Sequence, residues 1–311
     1  MKTLASSAFC IGAAAIFAGC APSAMPQSQP SAIAAHGESW TPPEAKGKTL
    51  LYVATGRKVS VLSYPDGRSV GGFSIRNDVY GLCSDPSGDV FVTTVGTILE
   101  YAYGGDQPIK EIEAKFGVPL QCAFDPSTGN LAVVSAWPTG PDDIVIYEKL
   151  TEKTRYYYDS DFYNFFGIVY DGSGNLFVDG AYSAAGTLAE LPKGGDAFTN
   201  YDVALKTSDS QLGWLQWDGQ YLTAQETPPD KRRALLDRLT IADSHASVVS
   251  RTQLDGDDIR FRLLSADVAL GFEDHYDRSI GLWHYPTGRA AFKVFTGVAN
   301  KSSLMALSAS P

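Results

Sequence analysis

Histidine is scarce in this chain: there are four in 311 residues, at positions 36, 245, 275 and 284. His36 falls in a low-complexity stretch, and His245 and His284 lie in or beside segments that read as strands, where a lone imidazole is structural more often than catalytic. Neither GxSxG, HExxH nor a P-loop occurs, so the sequence signals for serine hydrolysis, zinc-peptidase chemistry and nucleotide binding are missing. Basic residues are also few. The 25 Lys and Arg against 35 Asp and Glu leave a formal charge of −10, the wrong sign for a nucleic-acid phosphate surface. The one basic cluster, Lys231-Arg232-Arg233, adjoins Pro228-Pro229-Asp230 and reads as a solvated hairpin loop. The apolar stretch Leu4–Phe17 is shorter than the roughly 20 residues that a membrane-spanning helix needs.

Turn chemistry, by contrast, recurs at a regular interval. From Gly81 to Ile112 the chain reads as four short strands, Gly81–Ser84, Val90–Thr94, Ile98–Ala102 and Ile109–Ile112. Asp85-Pro86-Ser87-Gly88 between the first two has the composition of a type I turn, and Gly104-Gly105-Asp106 makes another tight turn. Copies of the unit open at Gln121, Gly167 and Gly213, and a degenerate copy runs from Arg260 to Phe295. Their turn aspartates, 85, 125, 171 and 218, are separated by 40, 46 and 47 positions. Such a period, with four strands per unit, predicts a β-propeller. Leu50–Ala54, Val59–Tyr64 and Val70–Ile75 resemble strands two to four of one more unit, and Leu304–Ser308 resembles its missing first strand. The expected fold is therefore all-β: a six-bladed propeller over residues 48–311, with four-stranded antiparallel blades, one closed by the C-terminal strand joining the N-terminal three.

Met1-Lys2 followed by the Ala-rich segment Leu4–Phe17 reads as a signal peptide. It ends in Phe17-Ala18-Gly19-Cys20, which resembles the lipobox of bacterial lipoproteins, with Phe17 where Leu is usual. That resemblance implies a signal peptide at 1–19 and a diacylglyceryl group on the Cys20 sulfur. Residues 20–47, rich in Ala, Pro, Ser and Gln, then form a disordered tether. Ordinary secretory cleavage is the alternative. The expectation is an exported monomer, lipid-anchored to the bacterial envelope and facing the periplasm or the exterior.

Cys83 and Cys122 fall on the first strands of neighbouring units, two and three residues before their turn aspartates. Alternation along a strand points them to opposite faces of their own sheets, so both enter the one interface between those units or neither does. An even pair in an exported chain favours a disulfide; the other reading is two small buried hydrophobes.

In a four-stranded meander, the loops joining strands two to three and blade to blade emerge on one face, and there the irregular, lengthened loops gather. Ala136–Asp143, Tyr182–Gly186, Gln225–Arg233, Glu273–Arg278 and the crossover Asp159–Asn164 all belong to it. Three groups on this face are candidates for ligand binding. Tyr156 to Phe166 holds seven aromatics, with Phe162 and Tyr163 expected as an exposed stacking surface. Trp137 heads a Pro- and Asp-rich loop suited to a glycan or peptide, or caps a hydrophobic edge. Glu273, Asp274, His275 and Asp277 offer carboxylates and an imidazole in one loop, suited to a cation or an acid–base pair, but without calcium-loop spacing.

The repeat G-L-C-S-D-P-S-G-D-V-F-V and its copies resemble the six-bladed NHL and gluconolactonase-like propellers across residues 48–309. Lactonases of that group hold a divalent metal at the channel mouth through Glu, Asn and Asp. The corresponding first-strand positions here are Tyr80, Pro119, Phe166, Leu212, Ile259 and Leu304. None is an oxygen ligand, so no metal site transfers. The resemblance thus implies no cofactor, without excluding a divalent cation, and a closer likeness to exported propellers of unassigned function. The expected role is a membrane-anchored, non-catalytic binding or scaffold module for a protein, peptide or glycan, with no nucleic-acid partner. A metal-dependent lactone hydrolase or lyase is the rival.

Overall fold

The computed structural model describes residues 46–114, 117–137, 140–181, 187–203, 211–227, 233–256, 260–265, 267–273, 279–299 and 303–310, all within the compact unit 34–311. Cys20, Asp274, His275 and Asp277 lie outside the described residues, and Glu273 is described by its backbone alone.

The chain runs as successive antiparallel meanders. The first is β1 (Leu50–Thr55), β2 (Lys58–Ser63) and β3 (Ser69–Ser74); the second is β4 (Val79–Ser84), β5 (Val90–Thr94), β6 (Thr97–Tyr101) and β7 (Pro108–Glu113). Next come β8 (Val118–Asp125), β9 (Asn130–Ala136), β10 (Asp143–Tyr147) and β11 (Thr154–Tyr157), followed by β12 (Asn164–Tyr170), β13 (Leu176–Ala181), β14 (Thr187–Leu191) and β15 (Thr199–Val203). Then follow β16 (Gln211–Trp217), β17 (Leu222–Thr227), β18 (Arg233–Ala242) and β19 (His245–Asp255). The last meander is β20 (Arg260–Ser265), β21 (Val268–Glu273), β22 (Ser279–His284) and β23 (Lys293–Phe295), and β24 (Leu304–Ser308) ends the chain. β24 pairs antiparallel with β1, from Leu50↔Ser308 to Ala54↔Leu304, and makes the first meander four-stranded.

The turn aspartates set the period by a shared local mechanism. Each carboxylate accepts a backbone N–H just downstream: Asp85 from Asp89 (2.9 Å), Asp125 from Ser127 (2.8 Å), Asp171 from Ser173 (2.8 Å) and Asp218 from Gln220 (2.9 Å). The last three are Asx turns, and Asp85 closes its turn over four residues; each reverses the chain through a local bond.

Apolar side chains fill the interface between each meander and the next. Val59 and Val61 of β2 pack with Val90 and Val92 of β5, and Val133 of β9 packs with Phe91 of β5. Leu51 and Val53 of β1 meet Leu270 of β21 and Leu282 of β22, which brings the end of the chain back to its start. The first strands also touch in succession, β4 with β8, β8 with β12, β12 with β16, β16 with β20, β20 with β24 and β24 with β4. This is the radial arrangement of a β-propeller.

A second layer of contacts ties first strands together where they converge. Gly81, Gly167 and Gly213 each pair with a polar residue on the adjoining strand: Thr93, Asp179 and Gln225. Two of these polar side chains bond to the next meander. Thr93 Oγ1 donates to the Leu120 carbonyl at 2.5 Å, and Gln225 Oε1 accepts the Phe261 amide at 2.7 Å. A Cβ at Gly81 would collide with the Leu120 carbonyl, and one at Gly167 would sit 2.7 Å from the Leu215 nitrogen. Glycine is what permits the close approach.

The greatest departure from the sequence reading is in the fifth meander. Gln225–Arg233 reads as one long loop, yet β17 continues to Thr227 and β18 begins at Arg233. Ala234, Leu235 and Leu236 are buried, which holds the hairpin in the sheet. β19 extends correspondingly, and its start pairs in parallel with β15 (Asp202↔His245, Val203↔Ala246), so two meanders fuse into an eight-stranded sheet.

Candidate functional site

Exposed large apolar side chains collect at one end of the strands. Tyr80 and Phe166 stand near the starts of β4 and β12, Val95 in the β5–β6 turn, Trp137 after β9, and Tyr158 and Tyr163 in the β11–β12 crossover. In an antiparallel meander these positions all emerge on the face of the two-to-three loops. The other exposed large apolar residues among those described, Tyr156, Val249, Phe292 and Val294, are on or beside outer strands.

The best-defined part of this face is where the Trp137 loop meets the crossover. Asp142, itself buried, joins them: its amide donates to the Tyr163 carbonyl at 3.0 Å, and its Oδ2 accepts the Phe165 amide at 3.2 Å and Asn164 Nδ2 at 3.5 Å. Burial raises the Asp142 carboxyl above the ordinary aspartate range, and the Phe165 amide offsets part of that rise. The Trp137 indole is fixed by its own contact, with Nε1 donating to Asp143 Oδ2 at 2.8 Å. Trp137 and Tyr163 are therefore presented from two loops that are tied to each other, 39% and 46% exposed. Asp142→Ala is expected to lower stability by about 1–3 kcal/mol, because the Phe165 amide loses its buried acceptor. Chemical denaturation checks this; an unchanged midpoint and slope would mean that the loop stands without the tie.

Phe162 corrects the expectation of an exposed aromatic pair. It is 1% exposed and stacks on Phe165 with ring centroids 4.7 Å apart. The crossover turns at Asp159, whose carbonyl accepts the Phe162 amide at 3.2 Å, and the ring enters the interface between β8–β11 and β12–β15. Gly180 makes the room: a Cβ there would lie 2.7 Å from Phe162 Cδ1. Phe162 supports the face from below and Tyr163 forms its surface.

At the hub, β4, β8, β12, β16 and β24 surround a cavity of about 320 Å³. Its wall includes the Cys83–Cys122 disulfide, which joins β4 to β8 with Cα atoms 5.7 Å apart. Five of the six first strands share an irregularity, and several of the residues at these sites line the cavity. Register shifts interrupt β4 between Val79 and Gly81, β8 between Pro119 and Cys122, β12 between Phe165 and Gly167, β16 between Gly213 and Gln216, and β20 between Phe261 and Leu263. Tyr80 and Phe166 occupy such bulges, so two of the six positions compared above with the metal ligands of lactonases carry aromatic rings.

Two groups of buried carboxylates were not singled out by the sequence. Glu226 and Asp237 are fully buried beneath Arg251, whose Nη2 donates to Glu226 Oε2 at 2.5 Å and whose Nε donates to Asp237 Oδ1 at 2.5 Å. Burial, and next to it the Glu226 carboxylate, raises the Asp237 carboxyl while the guanidinium opposes the rise. With no exposed surface the pair acts as a structural tie. Asp179, at the glycine-paired position described above, is the second. Among the described residues no three His, Cys, Asp or Glu side chains are grouped as a metal site requires.

No family model matches the chain, and no curated relative matches it. Solved structures do. A chain from the nidogen–laminin complex aligns over 84% of this chain and 99% of its own, with TM-score 0.63 and 15% identity. A protein of unknown function from Bacteroides caccae covers 83% of this chain and 98% of its own (TM-score 0.56, 11% identity). A chain of hydrazine synthase from Kuenenia stuttgartiensis covers 77% and 74% (TM-score 0.55, 12% identity). At these identities the likeness is one of fold, a β-propeller, and carries no activity across.

Proposed function

We propose that this protein is an exported, lipid-anchored, six-bladed β-propeller that acts as a non-catalytic binding or scaffold module. Six first strands touching in one circuit support the blade count. The Cys20 lipobox and the tether behind it support the anchor. The observation that carries the binding role is the aromatic face: Tyr80, Trp137, Tyr163 and Phe166 are held in the open by bulges and anchored loops. Aromatic side chains left exposed by a rigid scaffold are the usual anchors of recognition, because they offer contact area at low entropic cost.

The anchor is tested in a bacterial host by detergent phase partitioning. Cys20→Ala is expected to move the protein from the detergent phase to the aqueous phase, and equal partitioning of wild type and variant would overturn the lipid assignment. Binding is tested by screening the chain from residue 21 onward against glycan and peptide arrays. Tyr163→Ala and Trp137→Ala are each expected to weaken a hit tenfold or more with no change in the melting transition. Turnover of simple lactones that depends on added calcium, magnesium or zinc would replace this reading with that of a propeller-type hydrolase or lyase.

A further inference from the structure

None of Tyr80, Trp137, Tyr163 and Phe166 lines the hub cavity, and its chemistry differs from that of the molecule as a whole. Although the chain carries a formal charge of −10, none of the described side chains lining the cavity is charged. The polar groups on its wall are neutral: the amides of Gln121 and Gln216 and the hydroxyls of Ser84 and Tyr170. Ser84 Oγ donates to the Leu307 carbonyl at 2.5 Å and Gln216 Nε2 to the Leu215 carbonyl at 2.6 Å. The Gln121 amide makes no hydrogen bond among the described residues.

The aromatic residue beside these groups is Trp214, which also packs against the core that holds Leu236, Phe261 and Trp283. It lies in the β16 bulge, is half-buried, lines the cavity, and holds a backbone φ of +58°. A left-handed conformation is costly for a bulky residue, and such outliers concentrate where a side chain is aimed at a ligand. Bulges re-aim side chains in the same way. At about 320 Å³ the space falls at the lower end of the range for small-molecule pockets. It combines an indole, two carboxamides and hydroxyls without a counter-charge. We infer that the hub is a binding site for a neutral sugar unit, with the sugar's C–H face on Trp214 and its hydroxyls on Gln121 and Gln216. A carboxamide both donates and accepts, which suits a sugar hydroxyl that does the same.

The experiment titrates the soluble chain with glucose, galactose, N-acetylglucosamine and their disaccharides, with glucuronate as the charged counterpart. Calorimetry measures binding. A second readout is the rate at which a small thiol reduces Cys83–Cys122, because the disulfide is on the wall that the sugar would cover. At least one neutral sugar is expected to bind, to slow reduction severalfold at saturation, and to exceed glucuronate tenfold or more in affinity. Trp214→Ala is expected to weaken binding at least tenfold, and Gln121→Ala, at a partly exposed side chain without a hydrogen-bond partner among the described residues, to do so without unfolding the protein. The inference is overturned if no neutral sugar binds, if Gln121→Ala binds as wild type does, or if the bound sugar leaves the reduction rate unchanged. Binding lost on Trp137→Ala or Tyr163→Ala but kept in Gln121→Ala would place the sugar on the loop face, leaving the binding-module reading intact and the hub assignment wrong.

Discussion

Deleting Ser303–Pro311 is expected to abolish cooperative folding, not to lower the melting temperature by a few degrees. The deletion removes β24, which bonds to β1 through five residue pairs and reaches β4 and β20 across the hub. Met305, Ala306 and Ser308 are buried there. Ser84 Oγ donates to the Leu307 carbonyl, and Ser308 Oγ donates to that of Gly88. Each large apolar side chain returned to water costs roughly 1.5–3 kcal/mol. The inner edge of β1 would also become an unpaired strand, a template for aggregation. Together with the Leu51–Leu270 interface that β24 helps to cover, the loss rivals the roughly 5–15 kcal/mol that stabilises a typical domain. Soluble yield and urea unfolding of the truncated chain measure the effect. A soluble product with an unchanged transition would show that the ring closes without β24.

The closure was legible in the sequence because its signals are local. Asp85, Asp125, Asp171 and Asp218 mark turns whose hydrogen bonds span only a few residues, and Leu304–Ser308 is a short apolar run of strand length that follows the last copy of the repeat. What stayed hidden depends on neighbours distant in sequence. Phe162 and Tyr163 are adjacent aromatics, and the difference between them is made by Gly180, on another strand. The bulges at Tyr80, Phe166 and Trp214 are differences of register between two strands, which composition does not encode. The parallel pairing of His245 with Asp202 joins the β18–β19 turn to a strand of the preceding meander, a contact between two meanders that neither segment announces alone. The glycine and polar pairs were readable in part, as Gly167 begins a copy of the repeat. That its partner Asp179 would be wholly buried was not, because the neighbouring meander supplies the burial.

Asp179 gives the protein a pH dependence with a definite sign. Its side chain is 0% exposed, and neither carboxylate oxygen has a hydrogen-bond partner. Burial pushes its carboxyl up to about 7; the nearby Gly167 and Asp179 amides favour the charged form only weakly, since their geometry falls short of a hydrogen bond. In the unfolded chain an aspartate titrates near 3.9. Between those values the folded state holds a proton that the unfolded state has released, so stability falls as pH rises through this window. The contribution is fully present below about pH 4 and is lost by about pH 7, where the ionised form is left without compensation. A shift of about three pH units corresponds to about 4 kcal/mol between the two ends of the window. Asp179→Asn keeps the shape and one acceptor but cannot ionise. It is expected to flatten the stability profile between pH 4 and 8, matching wild type at pH 4 and exceeding it at pH 8. Asp85, Glu100, Asp142 and Asp237 are also shifted upward by burial and remain in both proteins, so the difference between the two curves isolates Asp179. Urea unfolding at half-unit pH intervals measures it. Parallel curves, or a variant less stable at pH 8 than at pH 4 by as much as wild type, would mean that Asp179 is ionised in the folded protein and that its charge is compensated.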